Sequence, residues 1–565
     1  MSCSMEGGRR SKRGGDDAAH NAIPFMNASL PLTLNIYPLP HTLQDQLSAS
    51  IDRQGLECGL RPDLDYPSRQ PPHPTKHLRL MEEPIHPPPV QAAQDSPNGV
   101  LQEMKEWFTE HGGSLHQVDV AIIDEAEGCG LVAQEPVKAG QLVLRVPISL
   151  CVHVEAVHLS VLRDVVAAEP QLLAEEAQDE LLALVLMAER RAGRDSFWWP
   201  YLKVMPGEYD TPLYWGEEER RYLAGTNVGL LTVIMERRIA QDWKENHAGL
   251  VQKYPDVLGG LTLQDYIWAL STIWSRAVGV ERGVGHRYLR CLAPALDMCN
   301  HHPSAAMGLE DLLKYEAETD SLCFRPATPV TQGQQCHLLY GPYSNAKLLY
   351  SYGFVAAQNP HRGVDYWVKV PSTAFDAAWK TEELLAHDLT REQTYDFNGT
   401  LLGNGVTTAL MATVRMIHLT PEEYKDVEKV FRGEIVSLRN EQASFNGLAT
   451  FLEKKVSSYP TTVEEDLRAL EKLERILEAA QGEEAKGEMG LRIGLLAEGG
   501  TSGVPFRSKD EDAEEREGGQ APRQQKAGLR RALRRRACAL KVMLEDKMVF
   551  QETLACVTHR LGELR

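Results

Sequence analysis

Hydrophobic positions follow no regular period over the first hundred residues, which hold 14 of the 32 prolines, including Pro71-Pro72 and Pro87-Pro88-Pro89. Proline withholds the backbone donor that helix and sheet both need, so residues 1–100 are expected to form a disordered extension. The pattern changes at Leu101. Leu101, Met104, Trp107 and Phe108 recur at helical spacing, and the apolar runs Val118 to Ile123 and Leu142 to Val146 read as strands. From Leu159 to about Trp274 the periodicity is helical, with Glu180 to Arg191 and Leu230 to Trp243 as its clearest segments. Strand-like pieces return at Leu322 to Phe324 and Cys336 to Tyr340. A β-rich unit, residues 101–369, is therefore split by a helical insertion at about 159–274. Beyond it, residues 370–565 read as helices at Leu401 to Ile417, Pro421 to Phe431, Ile435 to Lys455 and Thr462 to Ala480. A Gly- and Glu-rich flexible insert at about 482–525 precedes a last helix from Gln525 to Leu561.

Composition narrows the function classes. The 565 residues carry 79 Asp+Glu against 60 Lys+Arg, a net charge of −19, which disfavours a protein that coats nucleic acid, because phosphate binding needs clustered cations. The longest apolar runs, such as Leu181 to Ala188, fall far short of the ~20 residues that span a bilayer, so neither membrane nor nucleic acid is expected as a partner. Ten scattered cysteines include no CxxC pair, so no structural zinc site is expected and the thiols read as reduced. Arg9, Arg10, Lys12 and Arg13 suit a transit peptide or a nuclear signal, though Glu6, Asp16 and Asp17 are unusual in the former. The expected location is the chloroplast stroma if the extension is a transit peptide, and otherwise the cytoplasm or nucleus. The run Arg530, Arg531, Arg534, Arg535, Arg536 reads as a solvated helix face.

Three segments carry candidate chemistry. Glu127-Gly128-Cys129-Gly130-Leu131-Val132-Ala133 contains GxGxxA, the spacing of a dinucleotide fingerprint. That chemistry needs a helix whose N-terminus faces the pyrophosphate. Here Pro136, Gly140 and another strand follow, which leaves a hairpin or a loop whose backbone approaches a ligand. Asp297-Met298-Cys299-Asn300-His301-His302 gathers an acid, an amide and two imidazoles. Adjacent histidines on extended backbone point to opposite faces, so a metal site is disfavoured against a polar turn or a small-molecule site. Tyr340-Gly341-Pro342-Tyr343-Ser344-Asn345-Ala346, followed by Tyr352-Gly353-Phe354, places tyrosines around a turn and a helix start, with Ser344 as N-cap.

Taken together and in order, these segments resemble the SET-domain protein methyltransferases, and within them the branch of Rubisco large-subunit lysine methyltransferase and the actin histidine methyltransferase. The resemblance also rests on Trp274-Ser275-Arg276-Ala277, on Trp199-Pro200-Tyr201-Leu202 with Met205-Pro206, and on Tyr459-Pro460-Thr461-Thr462 with Glu465-Asp466. It covers about 105 to 480 and implies an α+β fold: a β-rich SET domain with a helical insertion, followed by an all-α substrate-binding domain.

The resemblance further implies S-adenosylmethionine as cofactor. Glu127, Gly128, Cys129, Arg276, Asn300, His301 and Tyr340 would line it, with Ser275, Arg276, Asp297 and Tyr352 on the substrate channel and Tyr340 as the catalytic tyrosine. No metal is implied. Two positions depart from the family pattern: Val278 where a Phe is usual and the actin-directed enzyme has a polar residue, and His302 where the triplet ends in Ser. The reading that follows is lysine N-methylation of a folded non-histone protein by a monomer. Histidine N-methylation and a non-catalytic SET adaptor are the alternatives.

Overall fold

The structure, a computed structural model, describes residues 96–484 and 521–565, except 125–126, 175–177, 283–287, 304, 306–311, 367, 369, 388, 390–398 and 403–404. The expected extension up to residue 95 and most of the 482–525 insert lie outside the described residues. The first described helix, Pro97–Glu110, is capped by Ser96, whose Oγ accepts from the Gly99 amide. It buries the four apolar residues its spacing marked, Leu101, Met104, Trp107 and Phe108.

The β-rich unit consists of small antiparallel pieces. One sheet runs in the order Ser114–Leu115, Leu144–Pro147, Ser321–Phe324, Leu313–Glu316, with Leu144 opposite Phe324. Val118–Asp124 and Gly128–Ala133 form a hairpin with Val118 opposite Ala133 and a register irregularity near Asp124. The GxGxxA segment is therefore a strand of this hairpin, and no helix starts there. A third sheet joins Val152–His153, Leu289–Leu292 and Val278–Val280.

Cys336 to Tyr340 departs from the expected strand. Its backbone bonds are divided between neighbours: the Cys336 amide reaches the Leu131 carbonyl at 2.7 Å, the Leu338 amide reaches Asn300 at 2.9 Å, and the His302 amide reaches the Leu338 carbonyl at 3.0 Å. A segment that bonds first to one strand and then to another forms isolated bridges in place of a ladder. This crossing brings Asn300, His301 and Tyr340 beside the 128–133 strand.

The helical insertion shares its core with the strands. Leu181 to Ala188, inside helix Gln178–Ala192, is buried at every position, as an all-apolar helix must be. Helix Leu263–Arg276 starts at a capping box of Thr262 and Asp265, buries Tyr266 to Trp274 and ends on Arg276. Its direction delivers Arg276 to the strand junction.

The C-terminal region is helical, with one small hairpin. Gly399–Leu402 pairs with Gly405–Val406 and with Val364–Tyr366, so the expected helix Leu401 to Ile417 is strand at its start and helix only over Thr408–Ile417. Helices Leu438–Ser457, Val463–Glu484 and Ala521–Glu563 follow. The last helix packs Val549 and Phe550 against Leu448, Phe451 and Leu452, and Ala539 and Val542 against Trp215, Val228 and Leu349 of the β-rich unit.

Its arginine run is solvated only in part: Arg536 is exposed, whereas Arg531 is half-buried and Arg535 buried. Arg531 bonds Glu208 and Asp210, Arg535 is buried and bonds Asp210 and Glu219, and Arg536 lies over the Tyr222 ring at 4.9 Å. Sequence periodicity marks such a stripe as polar; the acidic partners come from a segment more than 300 residues away.

Candidate active site

The site has two sides joined at Tyr340. On one side, the Asn300 Nδ2 donates to the Cys129 carbonyl at 3.1 Å and to Gln335 Oε1 at 2.9 Å, and Gln335 Nε2 donates to Glu127 Oε2 at 2.7 Å. Glu127, Cys129 and Asn300 are thereby tied together through Gln335. Gly130 permits the close approach: a Cβ there would lie 2.4 Å from Gln335 Oε1. Gly128, at φ 71°, has no heavy atom within 4 Å of where its Cβ would stand, so backbone and open space coincide at this edge.

His301 is held from behind. The Tyr340 amide donates to its Nδ1 at 3.1 Å, which places the ring proton on Nε2. Burial, with His302, His361 and His337 nearby, lowers its pKa to about 4, so the ring is neutral near pH 7.

On the other side, Tyr340 donates its hydroxyl to the Cys299 carbonyl at 2.8 Å. Its ring centre lies 4.9 Å from Tyr352, 5.2 Å from His301 and 6.4 Å from Phe354. Tyr343 stacks on Tyr352 at 6.2 Å. Burial pushes the Tyr340 and Tyr352 phenols well up, so both stay protonated. Helix Asn345–Tyr352, capped by Ser344, ends at Gly353 in the left-handed region at φ 84°. A Cβ on Gly353 would meet the Asp210 backbone at 2.8 Å, so this position needs glycine twice over, and it fixes where Tyr352 and Phe354 emerge.

Beneath the tyrosines lies a buried ion pair. Arg276 Nη1 donates to Asp297 Oδ2 and to the Asp297 carbonyl, each at 3.1 Å, and Tyr201 donates its hydroxyl to Oδ2 at 2.9 Å. Burial raises the Asp297 pKa, opposed by Arg276 and the Tyr201 hydroxyl. Burial opposes the Arg276 charge and is outweighed by Asp297, Tyr209 and Tyr201. Asp297 Oδ1 and Arg276 Nε are buried without a hydrogen-bond partner.

Among the residues named from sequence, Glu127, Gly128, Cys129, Asn300, His301, Tyr340, Tyr352, Arg276 and Asp297 thus converge. Ser275 does not join them through its hydroxyl, which bonds back to the Ser271 carbonyl of its own helix at 2.7 Å. Gln335 and Tyr201 were not singled out. Tyr201 sits in the Trp-Pro-Tyr-Leu signature, which could have flagged it; Gln335 carries no local signal. No group of three or more His, Cys, Asp or Glu suited to a metal is found among the described residues.

Against solved structures, the chain superposes on a crystal structure of the SET domain of LSMT bound to lysine and AdoHcy with a TM-score of 0.60, over 83% of this chain and 93% of that one, at 20% identity. A structure of Rubisco LSMT bound to AdoMet gives 0.56 over 82% and 93%, also at 20% identity. This is the SET-domain fold. The Rubisco LSMT substrate-binding family model matches residues 374–489, so the resemblance to the LSMT-like branch holds in the C-terminal region as well. Among curated proteins, the actin-histidine N-methyltransferase of Xenopus tropicalis is 31% identical over 389 residues, 65% of this chain and 64% of that protein. The human actin-histidine N-methyltransferase is 30% identical over 388 residues, 65% and 63%. The chain therefore spans just under two thirds of the length of these relatives.

Proposed function

We propose that this chain is an S-adenosylmethionine-dependent protein N-methyltransferase whose acceptor is a histidine imidazole. The observation that carries the reading is the position of Tyr340. Its backbone amide orients His301 on one side, and its hydroxyl is fixed on the Cys299 carbonyl on the other, 4.9 Å ring to ring from Tyr352.

The residues fit the cofactor. Glu127, Gly128, Cys129, Asn300 and His301 would hold it along the open edge at Gly128, with Arg276 toward the acceptor side. When bound, the cofactor supplies a methyl group activated on a sulfonium. The chain's own task is positioning, which governs an in-line displacement. Protonated phenols are poor nucleophiles, and the one lone pair of the neutral His301 ring, on Nδ1, is occupied by the Tyr340 amide, so neither competes for the methyl group, while hydroxyl and carbonyl oxygens around Tyr340 and Cys299 offer lone pairs to developing positive charge.

Three considerations favour imidazole. The relatives are actin-histidine N-methyltransferases. A free imidazole, with a pKa near 6.5, is largely neutral at pH 7, whereas a lysine near 10.4 must first shed a proton. Asp297 Oδ1 is a buried acceptor with no partner, suited to the N–H of a ring whose other nitrogen attacks. Lysine is the second reading: the rings of Tyr340, Tyr352 and Phe354 stand 4.9–6.4 Å apart, an arrangement that suits an alkylammonium. Val278 lies half-buried opposite Cys291, on the strand that follows Arg276.

The test is incubation of the purified chain with tritiated S-adenosylmethionine and either actin or a cell lysate, followed by acid hydrolysis and amino-acid separation. Label in methyl-histidine is expected. Label in methyl-lysine alone overturns the imidazole assignment, and no label in any protein overturns the activity.

A further inference from the structure

The last helix reaches back into the segment that carries the acceptor-side tyrosine. Glu545, on helix Ala521–Glu563, is buried, and so is Asn345, the first residue of helix Asn345–Tyr352. The Asn345 Nδ2 donates to Glu545 Oε2 at 2.8 Å and the Asn345 amide donates to Oε1 at 3.4 Å. The amide oxygen is used as well: Asn345 Oδ1 accepts from the Ala356 amide at 2.9 Å and from Asn359 Nδ2 at 3.4 Å, and Asn359 Nδ2 also donates to the Tyr343 carbonyl at 2.8 Å. One side chain of the C-terminal helix therefore fixes the residue from which the start of the Tyr352 helix, the loop at Ala356 and the Tyr343 turn are all held.

We propose that Glu545 is a positioning residue for the acceptor site: through Asn345 it sets the placement of helix Asn345–Tyr352, and with it Tyr352 and Tyr343, so that the C-terminal helix and the acceptor tyrosines move as one unit. The proposal rests on the reading of Tyr352 as an acceptor-side residue. Three features support it. A bidentate carboxylate facing two N–H groups of one residue resists rotation in a way a single contact does not. A second tie, Arg362 Nη2 to both oxygens of Glu552 at 3.0 and 3.2 Å, lies two turns further along the same helix. Ala539 and Val542, one to two turns before Glu545, pack on Leu349 of the tyrosine helix. The arrangement is also costly: burial pushes the Glu545 carboxyl up to about 7, against the Asn345 and Gly363 N–H donors and the Arg362 charge that favour ionisation. Its neighbour Asp546 faces Lys455 and Asp365. A leucine at 545 would avoid the burial of a carboxyl but would leave the buried Asn345 Nδ2 and the Asn345 and Gly363 amides without their acceptor.

The test exchanges donor and acceptor. Asn345→Asp sets two carboxylates against each other. Asn345→Asp with Glu545→Gln restores one N–H facing one oxygen in the reverse sense and leaves an acceptor for Ala356. Amide hydrogen exchange of the full chain is read over residues 345–353, together with the melting temperature and the kinetics of methyl transfer. The expected result is exchange at least tenfold faster in 345–353 for Asn345→Asp, with kcat down about tenfold and KM for S-adenosylmethionine unchanged, and recovery of both in the double variant. Unchanged exchange in 345–353, a kcat loss no larger than the loss of folded protein, or failure of the double variant to recover overturns the proposal. If the unsubstituted chain transfers no methyl group, the functional reading fails, and the exchange data alone decide the Glu545–Asn345 tie.

Discussion

The Arg276–Asp297 pair allows the sharpest test of how the site is built. The perturbation is Arg276→Met, Asp297→Asn and the two combined. Asp297 has a fully buried side chain and receives two charge-assisted donors on Oδ2, from Arg276 and Tyr201. Deleting Arg276 leaves a buried carboxylate with a single phenol donor, a change that costs about 3–5 kcal/mol. The double variant carries no buried charge at either position and is expected to lose less than about 1.5 kcal/mol.

The pH dependence has a defined sign. Burial already raises the Asp297 pKa, and removing Arg276 raises it further. A raised carboxylate pKa contributes stability that is complete below the unfolded value near 3.9 and is lost as pH rises toward the folded value. The deficit of Arg276→Met therefore shrinks as pH falls toward 4. Urea titration followed by tryptophan fluorescence measures it, with Trp198, Trp268 and Trp274 buried in this lobe. Methyl transfer should be lost in both Arg276→Met and the double variant, because the pair is kept for the acceptor and not for net stability. A double variant as unstable as the sum of the singles, or one that transfers methyl at the wild-type rate, refutes the reasoning.

Three further outcomes follow from the geometry. Asn300→Ala removes the amide that holds Cys129 and Gln335 and should weaken S-adenosylmethionine binding about tenfold, or ~1.4 kcal/mol, by calorimetry; an affinity within twofold of wild type contradicts the cofactor-side assignment. Arg535→Ala removes a buried guanidinium from Asp210 and Glu219 and should lower urea-measured stability by about 2 kcal/mol, with little change on raising salt, because the arginine is buried; a strongly salt-dependent loss indicates a surface pair. Asp546, fully buried, has its pKa pushed up to about 8 by burial and the Glu545 charge. Its stabilising contribution is complete below the unfolded value and is lost as pH rises through 8, so Asp546→Asn should raise the urea midpoint at pH 9 and leave it unchanged at pH 4.

The fold was legible where periodicity and burial coincide. The all-apolar run Leu181 to Ala188 and the Leu101–Phe108 spacing each marked a helix whose buried face the structure reproduces. It was least legible where backbone bonds are shared between neighbours. Cys336 to Tyr340 has strand composition, yet its partners lie at Leu131 and at Asn300–His302, far away in sequence. The hairpin hidden in Leu401 to Ile417 exists because Gly399–Leu402 finds Val364–Tyr366.

At the site, Tyr340, Asn300 and Arg276 stand inside motifs whose order could be recognised. Gln335, which joins Glu127 to Asn300, has no motif to mark it. The arginine run had the opposite fault: local spacing suggested solvent, whereas Glu208, Asp210 and Glu219 supply partners that only the tertiary fold reveals.

The central claim is methyl transfer at the junction formed by Tyr340. The most direct measurement is the initial rate of tritium transfer from S-adenosylmethionine to protein by the wild-type chain and by Tyr340→Phe, at equal and saturating cofactor. Removing the hydroxyl that bonds the Cys299 carbonyl should lower the rate by about 10²–10³-fold, the range for one oriented transition-state group, with cofactor affinity within a few-fold of wild type. A Tyr340→Phe chain that labels protein as fast as wild type contradicts the account.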